Sequence, residues 1–327
     1  MLIIAWETTS ACNLKCNYCR ASATAKAAPD ELSTEEALAF IDEVAPLKPM
    51  LILSGGEPLL RPDIFLLAQH AISHGLRVSL ATNGTLLTAE MVEKVASCGV
   101  SRISISLDGS TPEKHDASRG QGSYLQSMKG IENLGNKVDF QINFTVTERN
   151  AQEVRDIFDL AESLGAKAIH FFFLVPTGRG NVEDLISPER QEELLRLIDL
   201  ERSSRSIEVQ VTCAPQFARI ARPGSGRRSG GCLAGTSFVF VSRRGEVYPC
   251  GYLPVLAGSI RKHGFSDIWE NSPVFRALRE RRLEGKCGEC SYLRTCGGCR
   301  ARAFAKNGDY LGSDPACPEA AGWTIQT

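Results

Sequence analysis

The sequence predicts an α/β protein built on a parallel sheet, with a cysteine-rich unit appended at its C-terminal end. Three observations predict it. Short β-branched and apolar runs alternate with longer helical patterns from residue 1 to about 205. Those runs are too apolar for strands with one wet face, so both faces are expected to be covered. Eight of the twelve cysteines fall between Cys213 and Cys317, past the point where the alternation stops.

Six strands are expected, over residues 2–8, 50–54, 77–81, 102–107, 141–147 and 168–174, with helices between them. Three helices carry start signals: Ser33 with Glu36 and Asn150 with Glu153 match capping boxes, and Ser187 precedes Pro188 at a first helical position. The chain is therefore expected to divide into residues 1–205 and 206–327. The run from Arg222 to Gly231 reads as a basic linker or lid. Beyond it, residues 238–241 and 245–248 predict a hairpin with Gly245 at positive φ. The remainder is too poor in apolar residues to fold alone, and metal ligation would supply the missing stabilisation.

The 37 basic and 38 acidic residues leave a formal charge of −1, so no global field recruits nucleic acid or an anionic membrane, and a small molecule or peptide is the expected substrate. No apolar run approaches the ~20 residues that cross a bilayer, and the first seven residues read as a strand rather than an export signal, which places the chain in the cytoplasm. Thiols stay reduced there, and clustered cysteines bind metal.

Cys12-Asn-Leu-Lys-Cys16-Asn-Tyr-Cys19 follows the first strand, putting three thiolates in one loop at the C-terminal end of the sheet, where α/β active sites lie. Three cysteines can hold three irons of a four-iron cluster and leave the fourth open; a zinc site is the alternative. Ser54-Gly55-Gly56-Glu57-Pro58 ends the second strand. Its paired glycines permit a close backbone approach to a ligand, and Glu57 can accept from an ammonium group.

C-x3-C-x2-C after strand one and G-G-E-P after strand two together resemble the radical S-adenosylmethionine superfamily. The resemblance spans about residues 1–205 and implies a partial (β/α)6 TIM-like barrel, with S-adenosylmethionine chelated by the open iron of a [4Fe-4S] cluster on Cys12, Cys16 and Cys19. It further implies that Tyr18 lies near the adenine and that Gly55, Gly56 and Glu57 hold the methionine amine. Ser106, Asp108, Arg119 and Asn143 are its other candidate cofactor contacts. A satisfied interior polar group is the alternative for Ser106 and Asn143, and a surface ion pair for Arg119.

Cys232-x12-Gly245-x4-Cys250, then Cys287-x2-Cys290-x5-Cys296-x2-Cys299 and Cys317, resembles the SPASM extension, although the usual quartet has three residues between its last pair. The analogy implies one auxiliary cluster on Cys287, Cys290, Cys296 and Cys317 and another on Cys232, Cys250 and Cys299, completed by Cys213. One auxiliary cluster instead of two, and zinc instead of iron, both stay open. Cys98, before a glycine at the end of a helical run, is expected to be a small buried hydrophobe.

Further wording is similar to the haem synthases of that superfamily: Ala5-Trp-Glu, Cys19-Arg-Ala-Ser, Val175-Pro-Thr-Gly-Arg-Gly, Thr212-Cys-Ala-Pro-Gln, Gly231-Cys-Leu-Ala-Gly-Thr and Cys299-Arg-Ala-Arg-Ala-Phe. That resemblance implies oxidative decarboxylation of two propionates of Fe-coproporphyrin III to vinyl groups, giving haem b. Electrons would come from a low-potential donor such as ferredoxin or flavodoxin, and an auxiliary cluster would act as electron sink. Guanidinium forks suit propionates, making Arg179, Arg222, Arg227 and Arg228 candidate substrate contacts, with a solvated basic run as the alternative for the linker. His170 is either a group near the porphyrin or a satisfied core histidine. Sirohaem or haem d1 side-chain chemistry, a peptide maturase and a noncatalytic electron carrier are the competing readings.

Overall fold

The computed structural model describes residues 1–221 and 231–318. Its single ten-stranded sheet comprises β1 (Ile3–Glu7), β2 (Met50–Ser54), β3 (Arg77–Thr82), β4 (Arg102–Ser106), β5 (Phe140–Val146), β6 (Ala168–Phe173), β7 (Glu208–Thr212), β8 (Phe238–Val241), β9 (Glu246–Tyr248) and β10 (Gly258–Ser259). Strands β1 to β7 lie side by side in chain order, all parallel. Twelve helices are described. Those of the barrel are α1 (Thr34–Val44), α2 (Ile64–Ser73), α3 (Ala89–Cys98), α4 (Pro112–Arg119), α5 (Ser123–Leu134), α6 (Val154–Ser163) and α7 (Pro188–Ser204); α8 (Phe217–Ile220), α9 (Phe265–Asn271), α10 (Pro273–Arg279), α11 (Gly285–Glu289) and α12 (Arg300–Asn307) follow. The sheet curls into a partial TIM-like barrel, open between its two ends.

The six expected strands are present. Alternation within them fixes the two faces of the sheet. Ile4, Trp6, Leu51, Leu53, Phe171 and Phe173 point outward into the helix layer and are fully or nearly fully buried. Helix α1 answers with Ala37, Phe40, Ile41 and Val44, one stripe at i, i+3, i+4 and i+7, and Phe40 meets Trp6 edge-on at 5.4 Å. The intervening residues line the lumen, and the parallel register sets Ser106, Asn143, His170 and Gln210 in one row across β4 to β7.

The structure adds two features to these expectations and corrects one. The boundary near residue 205 does not fall at an edge of the sheet: β7 lies beyond it and pairs with β6, and β8 pairs in parallel with β1. The predicted hairpin is there, with Gly245 at φ +78°, but it extends the barrel sheet. Asn150 and Glu153 form no capping box. The Asn150 amide is spent on Thr147 and on the Asp108 and Thr145 carbonyls, while Glu153 accepts from Ser110. The other two start signals form as expected, Ser33 with Glu36 as a full box and Ser187 through an acceptor bond from the Arg190 amide. Cys98 is buried in α3, as its position suggested.

Among the described residues no helix is long and apolar enough to cross a membrane.

Candidate functional site

The loop carrying Cys12, Cys16 and Cys19 leaves the C-terminal end of β1 and is held from several sides. The Cys12 amide donates to Thr24 O (2.7 Å), and the Asn17 amide to Ser118 O (3.0 Å). Arg179 donates through Nε to Cys16 O (2.8 Å) and through Nη1 to Ala23 O (2.9 Å), and its amide reaches Cys19 O. Gly178, at φ +65°, lets this segment lie directly on the loop, since a Cβ there would collide with the carbonyls of Cys19 and Arg20. Arg179 was expected to await a propionate; two of its donors are instead committed to the cysteine loop. Its buried Nη2 has no hydrogen-bond partner among the described residues.

The G-G-E run is tied to the same loop. Gly56 and Glu57 donate backbone N–H groups to Thr9 O and Ala11 O, both at 2.7 Å. Any Cβ on Gly56 would strike the carbonyls of Ser10 and Ala11, so the close approach the glycines permit is to the base of the cysteine loop itself. The Glu57 carboxylate is fully buried and accepts from Leu59 N (3.2 Å), Thr82 Oγ1 (2.8 Å) and Asn83 N (2.8 Å). Burial pushes its pKa up to about 7 against these three bonds. Asn83 was missed in the sequence. It donates to Asn13 Oδ1 (2.9 Å) and its Nδ2 lies 3.9 Å from Cys12 Sγ.

Tyr18, Asp108 and Arg119 come together. The fully buried Asp108 carboxylate accepts from the Tyr18 hydroxyl, from Arg119 Nε and from Thr145 N. Its backbone amide donates to His115 Nδ1 (3.1 Å). Arg119 is therefore a buried ion pair and not a surface one, and its charge counters the burial that raises the Cys16 thiol pKa. Ser106 and Asn143 stand beside one another in the lumen row, Asn143 accepting from Gln141 Nε2. Next in the row, His170 bonds Thr212 Oγ1 at 2.6 Å and lies against the Phe172 ring; burial pushes its pKa down to about 4, so it is neutral at pH 7.

The remaining cysteines form two groups. Cys213 follows β7 with φ +62°, an unusual backbone for a non-glycine residue. It hydrogen-bonds Cys299, which pulls the Cys299 thiol down while raising its own, and Cys232 and Cys250 complete the charge neighbourhood. In the second group burial pushes Cys296 up to about 12, with Asp314, Cys287 and Cys317 adding to the rise. Cys290 is exposed, three residues after Cys287 at the end of α11.

Asp314 joins the groups and was also missed. Its amide donates to Cys287 Sγ (3.4 Å), and its buried carboxylate accepts from Cys299 N (2.7 Å) and from Gln216 Nε2 (2.8 Å). Arg300 donates to Cys287 Sγ at 3.4 Å, and Arg302 donates to Cys213 O at 2.8 Å. Arg222, Arg227 and Arg228 lie outside the described residues.

The sulfur spacing bears on which metal these groups fit. Tetrahedral zinc with Zn–S bonds near 2.3 Å holds its sulfurs about 3.8 Å apart. Among the described residues no three cysteine sulfurs lie within 4.8 Å of one another. None of the three sets therefore has the spacing of a closed zinc site. Each also has N–H donors aimed at sulfur, from Leu14 to Cys12, Tyr252 to Cys250, Tyr292 to Cys290 and Gly298 to Cys296, the arrangement that tunes cluster potentials.

Residues 6–161 match the family model of the radical SAM superfamily, and residues 232–299 that of SPASM, an iron–sulfur cluster-binding domain. An AdoMet-dependent heme synthase from Methanosarcina barkeri is 51% identical over 96% of this chain and 95% of its own. A Fe-coproporphyrin III synthase from the same organism is 31% identical over 96% and 87%. The mycofactocin maturase MftC of Mycobacterium ulcerans is 33% identical over 98% and 89%. In fold, the chain superposes on Streptococcus suis SuiB bound to S-adenosylmethionine with a TM-score of 0.78 at 17% identity, covering 97% of this chain and 77% of that one. A barrel with a three-cysteine loop at the end of β1, two further cysteine groups behind it and relatives matching end to end lead to one assignment: this chain is an enzyme of the radical S-adenosylmethionine superfamily, in the group that carries a SPASM extension.

Proposed function

We propose that this chain is an S-adenosylmethionine-dependent haem synthase, which converts two propionates of Fe-coproporphyrin III to vinyl groups by oxidative decarboxylation. The observation that carries this reading is the end-to-end match to the Methanosarcina heme synthase, at an identity well above that to the maturase. The Fe-coproporphyrin III synthase relative supports a tetrapyrrole substrate. The cofactors are [4Fe-4S] clusters and S-adenosylmethionine.

Cys12, Cys16 and Cys19 hold the cluster with the open iron; Cys213, Cys232, Cys250 and Cys299, and Cys287, Cys290, Cys296 and Cys317, hold the auxiliary pair. Bound there together with S-adenosylmethionine, these clusters would supply one-electron chemistry, hydrogen abstraction at the first and an acceptor for the electron released with carbon dioxide at the auxiliary pair. The protein's own residues do the positioning. Glu57 and the glycines before it fix the base of the loop, and the Asp108–Arg119 pair fixes Tyr18, which would lie near the adenine. Ser106 and Asn143 offer uncharged hydrogen-bonding groups to the cofactor in the lumen. Arg179 has one buried N–H-bearing nitrogen left for a carboxylate, and Arg222, Arg227 and Arg228 are further candidates for the second propionate. His170, neutral at working pH, serves as a hydrogen-bonding wall and not as a cation. A low-potential donor of the ferredoxin or flavodoxin type delivers the electron.

The test is anaerobic incubation of iron-reconstituted protein with S-adenosylmethionine, reductant and Fe-coproporphyrin III, read by mass spectrometry. Formation of 5′-deoxyadenosine together with loss of two carboxyl groups from the porphyrin is the expected result. Deoxyadenosine with an untouched porphyrin overturns the substrate. It would favour sirohaem derivatives or a peptide, the latter being the reading the MftC relative supports.

A further inference from the structure

On the outer face of the barrel, far from any cysteine group, three metal-type donors converge. His70 lies in the last turn of α2 and His74 caps that helix, four residues on and therefore on the same face. Asp42 projects from the last turn of α1 alongside. Its Oδ1 is 2.5 Å from His70 Nε2 and 3.5 Å from His74 Nε2, and all three ligand atoms lie within 4.8 Å of one another. Among the described residues no other set of three histidine, cysteine or carboxylate donors is so close.

The second ring nitrogen of His74 is the informative detail. His74 Nδ1 is 2.9 Å from the carbonyl oxygen of His70. A carbonyl only accepts, so the Nδ1 carries the proton and, in neutral imidazole, the Nε2 turns a lone pair toward the Asp42 carboxylate. Two electron-rich atoms facing one another require a cation between them, either a second proton or a metal. An outer N–H bonded to a backbone carbonyl is the arrangement that orients metal-ligating histidines and raises their basicity. Ligands about 2.0–2.2 Å from a tetrahedral zinc stand roughly 3.3–3.5 Å apart; the Asp42–His74 pair already has that spacing, while the 2.5 Å Asp42–His70 pair is hydrogen-bonded and widens by about 1 Å when a metal replaces its proton.

We infer that Asp42, His70 and His74 form a surface site for a divalent first-row transition metal of the zinc type, with its remaining position open to water. Two imidazoles and one carboxylate without sulfur select this class over calcium or magnesium, which prefer oxygen donors. The site lies where α1 ends ahead of β2 and α2 ends ahead of β3, so at the N-terminal ends of the strands, opposite the cluster loop. That end of a barrel carries stability and not chemistry. The metal clips two neighbouring outer helices together and takes no part in the radical reaction.

The test uses the iron-loaded enzyme, so that the cysteines are already occupied. After anaerobic equilibrium dialysis against micromolar zinc, the expected result is about one zinc per chain above the iron, with a zinc-edge X-ray absorption spectrum showing only nitrogen and oxygen neighbours. The double variant H70A/H74A should lose that zinc while keeping its iron content and visible spectrum, and zinc should raise the thermal midpoint of the parent protein but not of the variant. Zinc with sulfur neighbours, zinc retained by the double variant, or no stoichiometric zinc in the parent overturns the inference. None of these outcomes depends on whether the porphyrin reading holds.

Discussion

Glu57 and Arg300 show how single side chains in this protein act on the cysteine groups without belonging to them. Three donors converge on the Glu57 carboxylate, and only a group with acceptors on both oxygens satisfies all of them. In Glu57→Gln the amide nitrogen must face one donor, most directly the Asn83 N–H, leaving it buried and unpaired at a cost of about 1–3 kcal/mol. Asn83 then loosens beside Cys12. The expected outcome is a lower thermal midpoint together with weaker S-adenosylmethionine binding by equilibrium dialysis, at unchanged C-terminal iron. Arg300, buried in the first turn of α12, brings a fixed positive charge and an N–H to Cys287 Sγ. Reduction adds negative charge to a cluster there, so the guanidinium favours the reduced form. Arg300→Gln should lower the midpoint potential of that cluster in an electron paramagnetic resonance titration. A tenfold change in the oxidised-to-reduced ratio, equal to about 59 mV for one electron, is the size expected, and Arg300→Lys should sit closer to the parent.

At the scale of elements, the cysteine loop behaves as a lid on the end of β1, fastened by the turn after β2 and by the Gly178–Arg179 segment. Gly56→Ala forces a methyl group onto the Ser10 and Ala11 carbonyls and should detach the loop base. The expected outcome is loss of N-terminal iron and of deoxyadenosine formation with C-terminal iron retained, the same pattern as alanine at Cys12, Cys16 and Cys19 together; a Gly56→Ala protein with full iron and turnover would show that the loop tolerates a new anchor. The elements also explain what was legible in advance. Strands β1 to β6 announced themselves because strands covered on both faces are written as apolar runs, and the cysteines because ligand spacing is local in sequence. Strand β7, Glu-Val-Gln-Val-Thr, is exposed at Glu208 and half-buried from Val209 to Thr212, and was overlooked because it lacks such a run. Asn83 and Asp314 were invisible for a different reason: each acquires its role from a partner brought close only by folding, Cys12 for Asn83 and both Cys287 and Cys299 for Asp314. Asn150 carried the letter of a capping box, but its Oδ1 already accepts from the Thr147 N–H and hydroxyl and is turned away from the helix.

For the molecule as a whole, the question is whether the two units named from composition can part. Sequence suggested a barrel ending near residue 205, yet β6 and β1 each find a neighbour beyond that point, in β7 and β8. Cutting there would leave two parallel edge strands with unpaired amides and carbonyls, a template for association. It would also strip a buried charge. The Glu7 carboxylate, 3% exposed, lies between Arg20 on the cysteine loop (3.2 Å) and Arg243 beside the hairpin (2.6 Å), and loss of Arg243 halves its compensation in a place where charges are costly. Arg20 in turn donates to Gly251 O and stacks on Phe240, so the first cysteine loop itself rests on the extension. We therefore expect residues 1–205, expressed alone, to associate or precipitate, with rapid amide exchange in β1 and β6 in whatever fraction stays soluble. The full chain should protect both strands. A well-folded, monomeric 1–205 fragment that still takes up iron on Cys12, Cys16 and Cys19 would show the opposite, that the extension is an accessory; aggregation rescued by supplying residues 206–327 in trans would show that the shared sheet is what makes the two units one folding body.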